Sequence, residues 1–272
     1  MGSNLLGDRV ADVLAAVFDR NPASLLVVNP SARTVESVVR TADGTETTPT
    51  IRILANDAPL KQLAGGFSAA SAAADLVADD ALELRTAAEL PSNALLVTEA
   101  RVVSLVAAGE RIGGVATDDD AFRDAVSDAY ESDWERATPF ELRTPPRSTV
   151  DSTLSAALGD DVRADFDAML AAADSSDKAG LDEVTLSLLA AASHDKLLYD
   201  ISRWGEDAGV ASKATFSRTK TELEEAGLIT TEKVPIDVGR PRLRLLLADE
   251  QFEDASPEGI VSVAQSVLAT SS

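Results

Sequence analysis

Short hydroxyl and cationic side chains cluster at positions 212–221, in a segment with helical spacing. Gly209 precedes it and supplies the positive φ that a tight turn between two helices requires. In the predicted helix Lys213–Ala226, Phe216 and Leu223 lie seven residues apart and should face inward. The opposite face, with its hydroxyls and cations, can bond phosphates and base edges while the helix lies in the major groove of DNA.

A predicted hairpin follows this helix, with strands over Leu228–Val234 and Arg242–Leu247 and a tip at Gly239–Arg242. Two helices precede it, over Leu181–Ser193 and Lys196–Ala208, so the order of elements is that of a winged helix-turn-helix. Double-stranded DNA is therefore the predicted partner. The residues predicted to contact it are Ser212, Lys213, Thr215, Ser217, Arg218, Lys220, Thr221, Lys233, Arg240, Arg242 and Arg244.

The distribution of charge supports this assignment. The 272 residues carry 46 acidic and 24 basic side chains, a formal net charge of −22. The window 210–245 holds seven cations and five anions, so it is net +2 and the remaining residues are net −24. The acid is spread along the whole chain, which favours a protein adapted to molar salt, where the Debye length is about 3 Å. An acidic protein that binds cations or basic partners is the alternative.

Several function classes are disfavoured by composition. There is no cysteine and one histidine, His194, which excludes thiol catalysis, Cys-ligated zinc and any mechanism that needs two histidines. His194 is predicted to cap the C-terminus of a helix, with a pH sensor as the alternative. We predict no catalytic residue, metal or cofactor. No apolar run approaches the roughly 18–20 residues of a membrane span, and no signal peptide is recognisable, so we expect a cytoplasmic protein.

Strands alternating with helices predict an α/β domain with a mixed sheet over residues 1–138. A linker with helical segments is predicted over 139–179, the winged helix-turn-helix over 180–249, and a C-terminal helix within 250–272. The apolar stripe of that helix either packs on its own winged helix or pairs with a second chain. We favour a homodimer, because winged-helix proteins usually bind two half-sites.

An effector of the α/β domain would bind beyond the carboxyl ends of the strands. Polar residues predicted to line such a site, for a small-molecule metabolite, are Asn29, Ser31, Arg33, Asn56 and Asp57. The alternative is that the same residues serve only as helix caps and turns.

The block Leu181–Leu247 resembles the winged-helix domains of archaeal regulators. The resemblance rests on Asp207, Gly209, Val210, Ser212 beside an alanine at 211, Thr215, Ser217 and Arg218, and on the later Leu223-Glu224 and Gly227-Leu228-Ile229. It implies a DNA-binding transcription regulator.

The stretch Leu25–Pro139 resembles the regulatory domains of haloarchaeal transcription factors related to the TrmB sugar-responsive regulators. Nearly the whole chain resembles the TbsP-type regulators. The residues that match are Leu25–Asn29, Ile51–Leu54, Leu95–Val103 and Trp134–Pro139. The resemblance implies half of a phospholipase D fold. The His-x-Lys-x4-Asp motif of that hydrolase is missing around Asn93–Glu99, which implies a scaffold without its chemistry.

These observations predict a dimeric, sequence-specific transcription regulator of metabolic genes with a non-catalytic regulatory, effector-binding or dimerisation α/β domain. Two alternatives remain: a phosphodiesterase-like enzyme, and an adaptor whose winged helix binds protein.

Overall fold

The chain folds into two compact units, residues 1–146 and 147–272. The computed structural model describes residues 5–7, 9–45, 47–108, 111–176, 181–235, 237, 241–248, 252 and 255–270. Each unit builds its own core, as expected for a chain of this length.

The first unit is the mixed α/β domain that the sequence predicted. Its strands are β1 (Leu5–Gly7), β2 (Ser24–Val28), β3 (Thr50–Ala55), β4 (Leu82–Thr86), β5 (Leu95–Val97), β6 (Val102–Ala108), β7 (Arg111–Thr117) and β8 (Thr138–Pro139). Its helices are α1 (Val10–Phe18), α2 (Ala32–Asp43), α3 (Asp57–Ala64), α4 (Phe67–Ala78) and α5 (Asp120–Arg136).

The described strands form one sheet in the order β1-β7-β6-β5-β2-β3-β4-β8. The three adjacent strands β2, β3 and β4 run parallel, and the other neighbours pair antiparallel. The odd residues of β2, Leu25 and Val27, join the core formed with α1–α4, whereas Leu26 and Val28 face α5. Because β2, β3 and β4 are parallel, their carboxyl ends lie at the same edge of the sheet. Helix α2 follows β2 in the chain, so its N-terminus lies at that edge too.

The second unit consists of helices and one hairpin. Its elements are α6 (Arg147–Leu158), α7 (Asp160–Asp174), α8 (Glu183–Ser193), α9 (Leu198–Asp207), α10 (Lys213–Glu225), β9 (Ile229–Val234), β10 (Arg242–Leu247) and α11 (Pro257–Thr270). The three helices α8, α9 and α10 and the hairpin occupy the positions that the sequence predicted for them.

The segment 139–179 differs from the predicted linker. Phe140 and Leu142 pack on the core of the first unit, so the chain stays with that unit up to Pro146. The helices α6 and α7 belong to the second unit, because their apolar residues are buried there: Val150, Leu154, Leu158, Val162, Phe166, Met169 and Leu170. The indole Nε1 of Trp204 in α9 donates to Thr153 Oγ1 in α6 at 3.1 Å. The helices α6 and α7 therefore pack against the helix-turn-helix, α6 against α9 and α7 against α8.

The last helix, α11, uses its apolar stripe within its own unit. Ile260, Val261 and Ala264 are buried, and α11 packs against α7 and α8. Its main contact is with α7, which the sequence placed in the linker, and α8 is its contact within the helix-turn-helix; the homodimer stays a prediction. None of the helices within the described ranges is long and apolar enough to cross a bilayer.

The close approach of α9 and α10 depends on Gly205. A Cβ at this position would overlap the ring of Phe216, which is fully buried. We expect Gly205→Ala to lower the free energy of unfolding of the second unit by about 1–3 kcal/mol, the usual cost of overpacking a core. Thermal and urea unfolding followed by circular dichroism measure the effect.

The matched control is Gly259→Ala. Gly259 also lies in a helix, but an added Cβ would make only ordinary contacts, at 3.6 Å from Ala255 Cβ and 3.7 Å from Ser256 Oγ. This substitution should raise stability by about 0.5–1 kcal/mol, because alanine loses less conformational entropy than glycine on folding. Equal effects of the two substitutions would contradict the packing argument.

Candidate nucleic-acid interface

A tight turn joins α9 to α10 and sets where α10 begins. Gly209 has φ 77°, in the left-handed region, and the amide of Val210 donates to Gly205 O at 2.8 Å. Ser212 is the N-cap: its Oγ accepts from Thr215 N at 3.2 Å and lies 3.0 Å from Thr215 Oγ1. The turn at Gly209 is as predicted, and Val210 beside it is half-buried.

The face of α10 that the sequence predicted to be exposed is exposed. The buried residues of this helix are Phe216, Thr219 and Leu223. Opposite them lie Lys213, Ser217, Arg218 and Thr221, all exposed, and we call these four residues the α10 face. Because Ser212 and Thr215 bond each other at the cap, their hydroxyls are already engaged when the helix is free of any partner.

Lys220 occupies a different position from the one expected of a DNA contact. Its side chain is only 13% exposed, and its Nζ lies 2.6 Å from Glu224 Oε2. Glu224 also accepts from Thr231 Oγ1 at 2.7 Å. Burial alone raises the pKa of Glu224, but the hydrogen bonds from Lys220 and Thr231 bring it below its usual value. Lys220 therefore helps to hold β9 against α10.

Carboxylates from the same unit neutralise two cations of the α10 face. Lys213 Nζ contacts Glu206 of α9, and Arg218 Nε lies 3.8 Å from Glu222 Oε1. The hydrogen bond between Lys213 and Glu206 raises the pKa of the lysine and lowers the pKa of the glutamate. All four side chains are well exposed, so these pairs hold their cations weakly.

The hairpin presents further cations beside α10. Strands β9 and β10 pair in antiparallel register, with Arg242 opposite Val234 and Arg244 opposite Glu232. Arg244 Nη1 lies 3.3 Å from Glu232 Oε2, and Lys233 is exposed. The predicted contact residue Arg240 lies outside the described residues.

Tyr199 of α9 is a member of this surface that the sequence analysis missed. The Arg242 guanidinium stacks over the Tyr199 ring at 4.1 Å from its centroid and lies 3.8 Å from Asp200 Oδ1. The ring is 43% exposed, so it fixes the direction of Arg242 without covering it. The antiparallel bridge between Leu197 and Arg244 is the contact that brings α9 to the hairpin, and no local sequence signal announces it.

His194 caps α8, as predicted. It is the C-cap residue of that helix, and its Nε2 lies 2.9 Å from Asp165 Oδ2 in α7. The histidine therefore joins two helices of the second unit. Within the described part of the chain, no group of three or more His, Asp or Glu side chains could hold a metal ion.

Three of the five predicted effector residues lie together in the first unit. Asn29, Ser31 and Arg33 line one cavity of about 680 Å³ at the carboxyl end of β2. Asn56 is beside them and donates from Nδ2 to Asn29 Oδ1 at 3.3 Å, although it does not line the cavity. Asp57 pairs with Lys61 at 2.5 Å within α3 and is not part of the cavity either.

Three helices with a capped third helix, followed by a β-hairpin, define a helix-turn-helix protein, here preceded by an α/β domain. The chain belongs to the TbsP-like transcriptional regulators. The family's sequence profile described as "Transcriptional regulator TbsP-like, N-terminal" matches residues 2–145, and the profile described as "Transcriptional regulator TbsP-like, C-terminal HTH domain" matches residues 146–265. The boundary between the profiles falls within one residue of the boundary between the two units.

Among solved structures, the chain is similar to TrmBL2, described as an archaeal chromatin protein with a novel mode of DNA binding. The two are 13% identical, the match covers 51% of this chain and 54% of that one, and the TM-score is 0.37. The chain thus spans about half the length of this structural neighbour. No curated protein matched the chain.

Since Glu206 competes with any phosphate for Lys213, its removal should strengthen DNA binding. We expect Glu206→Gln to raise the affinity by about twofold to tenfold, the scale of an exposed ion pair together with relief of repulsion. Fluorescence anisotropy at constant KCl measures the affinity, with DNA that the wild-type protein has selected from a random-sequence pool.

Glu135→Gln is the control for this change. Glu135 is an exposed carboxylate of α5 in the first unit, so its substitution alters the net charge by the same amount. An equal gain from both variants would show that total charge, and not the pair with Lys213, sets the affinity.

Proposed function

We propose that this member of the TbsP-like regulators binds specific DNA sequences through the α10 face and thereby controls transcription of metabolic genes. The observation that carries the proposal is the exposed row of Lys213, Ser217, Arg218 and Thr221, which begins at a capped helix N-terminus. Short hydroxyls and a flexible guanidinium at these positions can reach base edges once the helix enters the major groove.

The hairpin would hold the flanking backbone while α10 reads the bases. The Tyr199 ring already orients the guanidinium of Arg242. In the sequence, Lys233, Arg240 and Arg244 belong to the same predicted hairpin. Contacts of this kind fix register and orientation but carry no sequence information. DNA phosphates would have to displace Glu206, Glu222, Glu232 and Asp200, all partners of cations on this surface.

The first unit would act as a regulatory or dimerisation domain. Its resemblance to half of a phospholipase D fold, without the His-x-Lys-x4-Asp motif, supports a scaffold that binds but does not hydrolyse. A homodimer would place two α10 helices on two half-sites of one operator. The excess of 46 acidic over 24 basic side chains suits work at high salt, where an acidic surface keeps a protein dissolved.

The role of the α10 face is tested with Arg218→Ala and Lys213→Ala. Each should weaken binding to the selected DNA, and Arg218→Ala by about tenfold or more, the value of a contact to a base edge. A repeated selection with the Arg218 variant should also show relaxed preference at one position of the site. Anisotropy and sequencing of the selected pool are the readouts.

Arg136→Ala is the matched control, because Arg136 has a side chain 73% exposed against 71% for Arg218 and likewise pairs with a carboxylate of its own helix. Its affinity should equal that of the wild type. Unchanged binding by Arg218→Ala would refute the assignment of the α10 face, and the absence of promoter enrichment in chromatin immunoprecipitation would refute the proposed function itself.

A further inference from the structure

The cavity at the carboxyl end of β2 has the features of a ligand site. We propose that it binds a small organic anion whose carboxylate or phosphate group lies at Arg33 and the first turn of α2. The inference deepens the regulatory role proposed above by naming a class of effector. The binding itself does not depend on DNA and is testable alone.

The size and shape of the cavity suit a metabolite. Its volume is about 680 Å³, within the roughly 300–1,000 Å³ usual for small-molecule sites. Its lining includes apolar side chains, such as Pro59 of α3, Leu105 of β6 and Ile112 of β7. It also includes the polar side chains of Asn29, Ser31 and Arg33. A ligand with a short carbon skeleton and one charged end would match both kinds of lining.

The charge of the lining favours an anion. Acidic residues make up 46 of the 272 positions, about one in six, so a surface of this size would ordinarily include carboxylates. The lining residues within the described ranges include Arg33 and no carboxylate. Arg33 is exposed, and no described carboxylate lies within ion-pair distance of it, whereas cations such as Lys61 and Arg123 pair with acids of their own helices.

The start of α2 adds donors at the same place. Ser31 is the N-cap, and its Oγ accepts from Thr34 N at 3.2 Å. The amides of Ala32 and Arg33 open the helix, and amides at this position have no acceptor within the helix. Because the positive end of the helix dipole points towards the cavity wall formed by Ser31 and Arg33, an anion there is stabilised further.

Asn29 holds this corner in a conformation that needs support. Its φ of 47° lies in the left-handed region, which is uncommon for a residue other than glycine. Its amide donates to Leu54 O at 2.8 Å, its Nδ2 donates to Pro91 O at 2.5 Å, and its Oδ1 accepts from Asn56. The corner is thus fixed by three hydrogen bonds to two segments, the end of β3 and the stretch at Pro91, which preorganises the turn that leads to Ser31 and Arg33.

Three probes with the same three-carbon skeleton test the proposal: glycerol, glycerate and glycerol 3-phosphate. Each is titrated into the full chain by isothermal titration calorimetry, and its effect on Tm is measured at constant KCl. We expect binding and a raised Tm with at least one of the two anions and neither with glycerol. Whichever anion binds more tightly identifies the charged group as a carboxylate or a phosphate.

Arg33→Gln should weaken anion binding by about tenfold or more, as expected for the loss of a charge-assisted hydrogen bond. Arg40→Gln is the control: Arg40 is an exposed arginine in the last turn of the same helix, so the net charge changes equally and the affinity should not. Ala107→Phe, at an exposed lining residue, should abolish binding by filling the cavity while leaving the Tm of the ligand-free protein unchanged.

The proposal is overturned if neither anion binds, if glycerol binds as tightly as the anions, or if Arg33→Gln and Arg40→Gln lose affinity equally. DNA binding by the Arg218 variant is measured without any of these probes. Failure of the anion site therefore leaves the DNA assignment standing, and failure of the DNA assignment leaves the anion site standing.

Discussion

The contact between Gly205 and Phe216 is the constraint on which the candidate DNA-binding surface depends. The ring of Phe216 occupies the space where any other residue at 205 would place a Cβ, so α9 and α10 approach closely at this point. Their crossing determines which residues of α10 face outward, and Leu223 and Thr219 follow Phe216 into the core. The absence of a Cβ at Gly205 thus determines the direction in which the α10 face points.

The sequence predicted elements with a strong local signal and missed those that depend on distant partners. Val10, Val13, Leu14, Val17 and Phe18 have helical spacing, and all are buried in α1. The three residues of β1 have no period to read; they form a strand only because β7 lies beside them. Likewise, Gly209 was recognised as the turn from its place between two predicted helices, whereas the contact of Arg242 with Tyr199 requires the bridge between Leu197 and Arg244. The pairing of Lys220 with Glu224, in contrast, could have been predicted from their spacing of four residues in a helix.

The carboxylates of the second unit explain how the candidate DNA-binding surface fits an acidic chain. Lys213, Arg218, Arg242 and Arg244 each have a carboxylate neighbour, so the charges of these four cations are balanced in the free protein. Exposed pairs of this kind are weak and are screened by salt. If α10 binds DNA as proposed, the release of counterions would contribute little to the affinity at high ionic strength, and hydrogen bonds to bases and from oriented side chains such as Arg242 would contribute the larger part.

The hydrogen bond from Trp204 to Thr153 joins α9 to α6. Helix α6 starts at Arg147, the first residue of the second unit, so the second unit begins with a helix that contacts the helix-turn-helix. Trp204 also meets the ring of Phe166 in α7 edge-on, at 6.3 Å between centroids, so one side chain of α9 contacts both α6 and α7. A substitution that displaces α6 would therefore also disturb α9 and, through the contact of Gly205 with Phe216, α10 of the same unit.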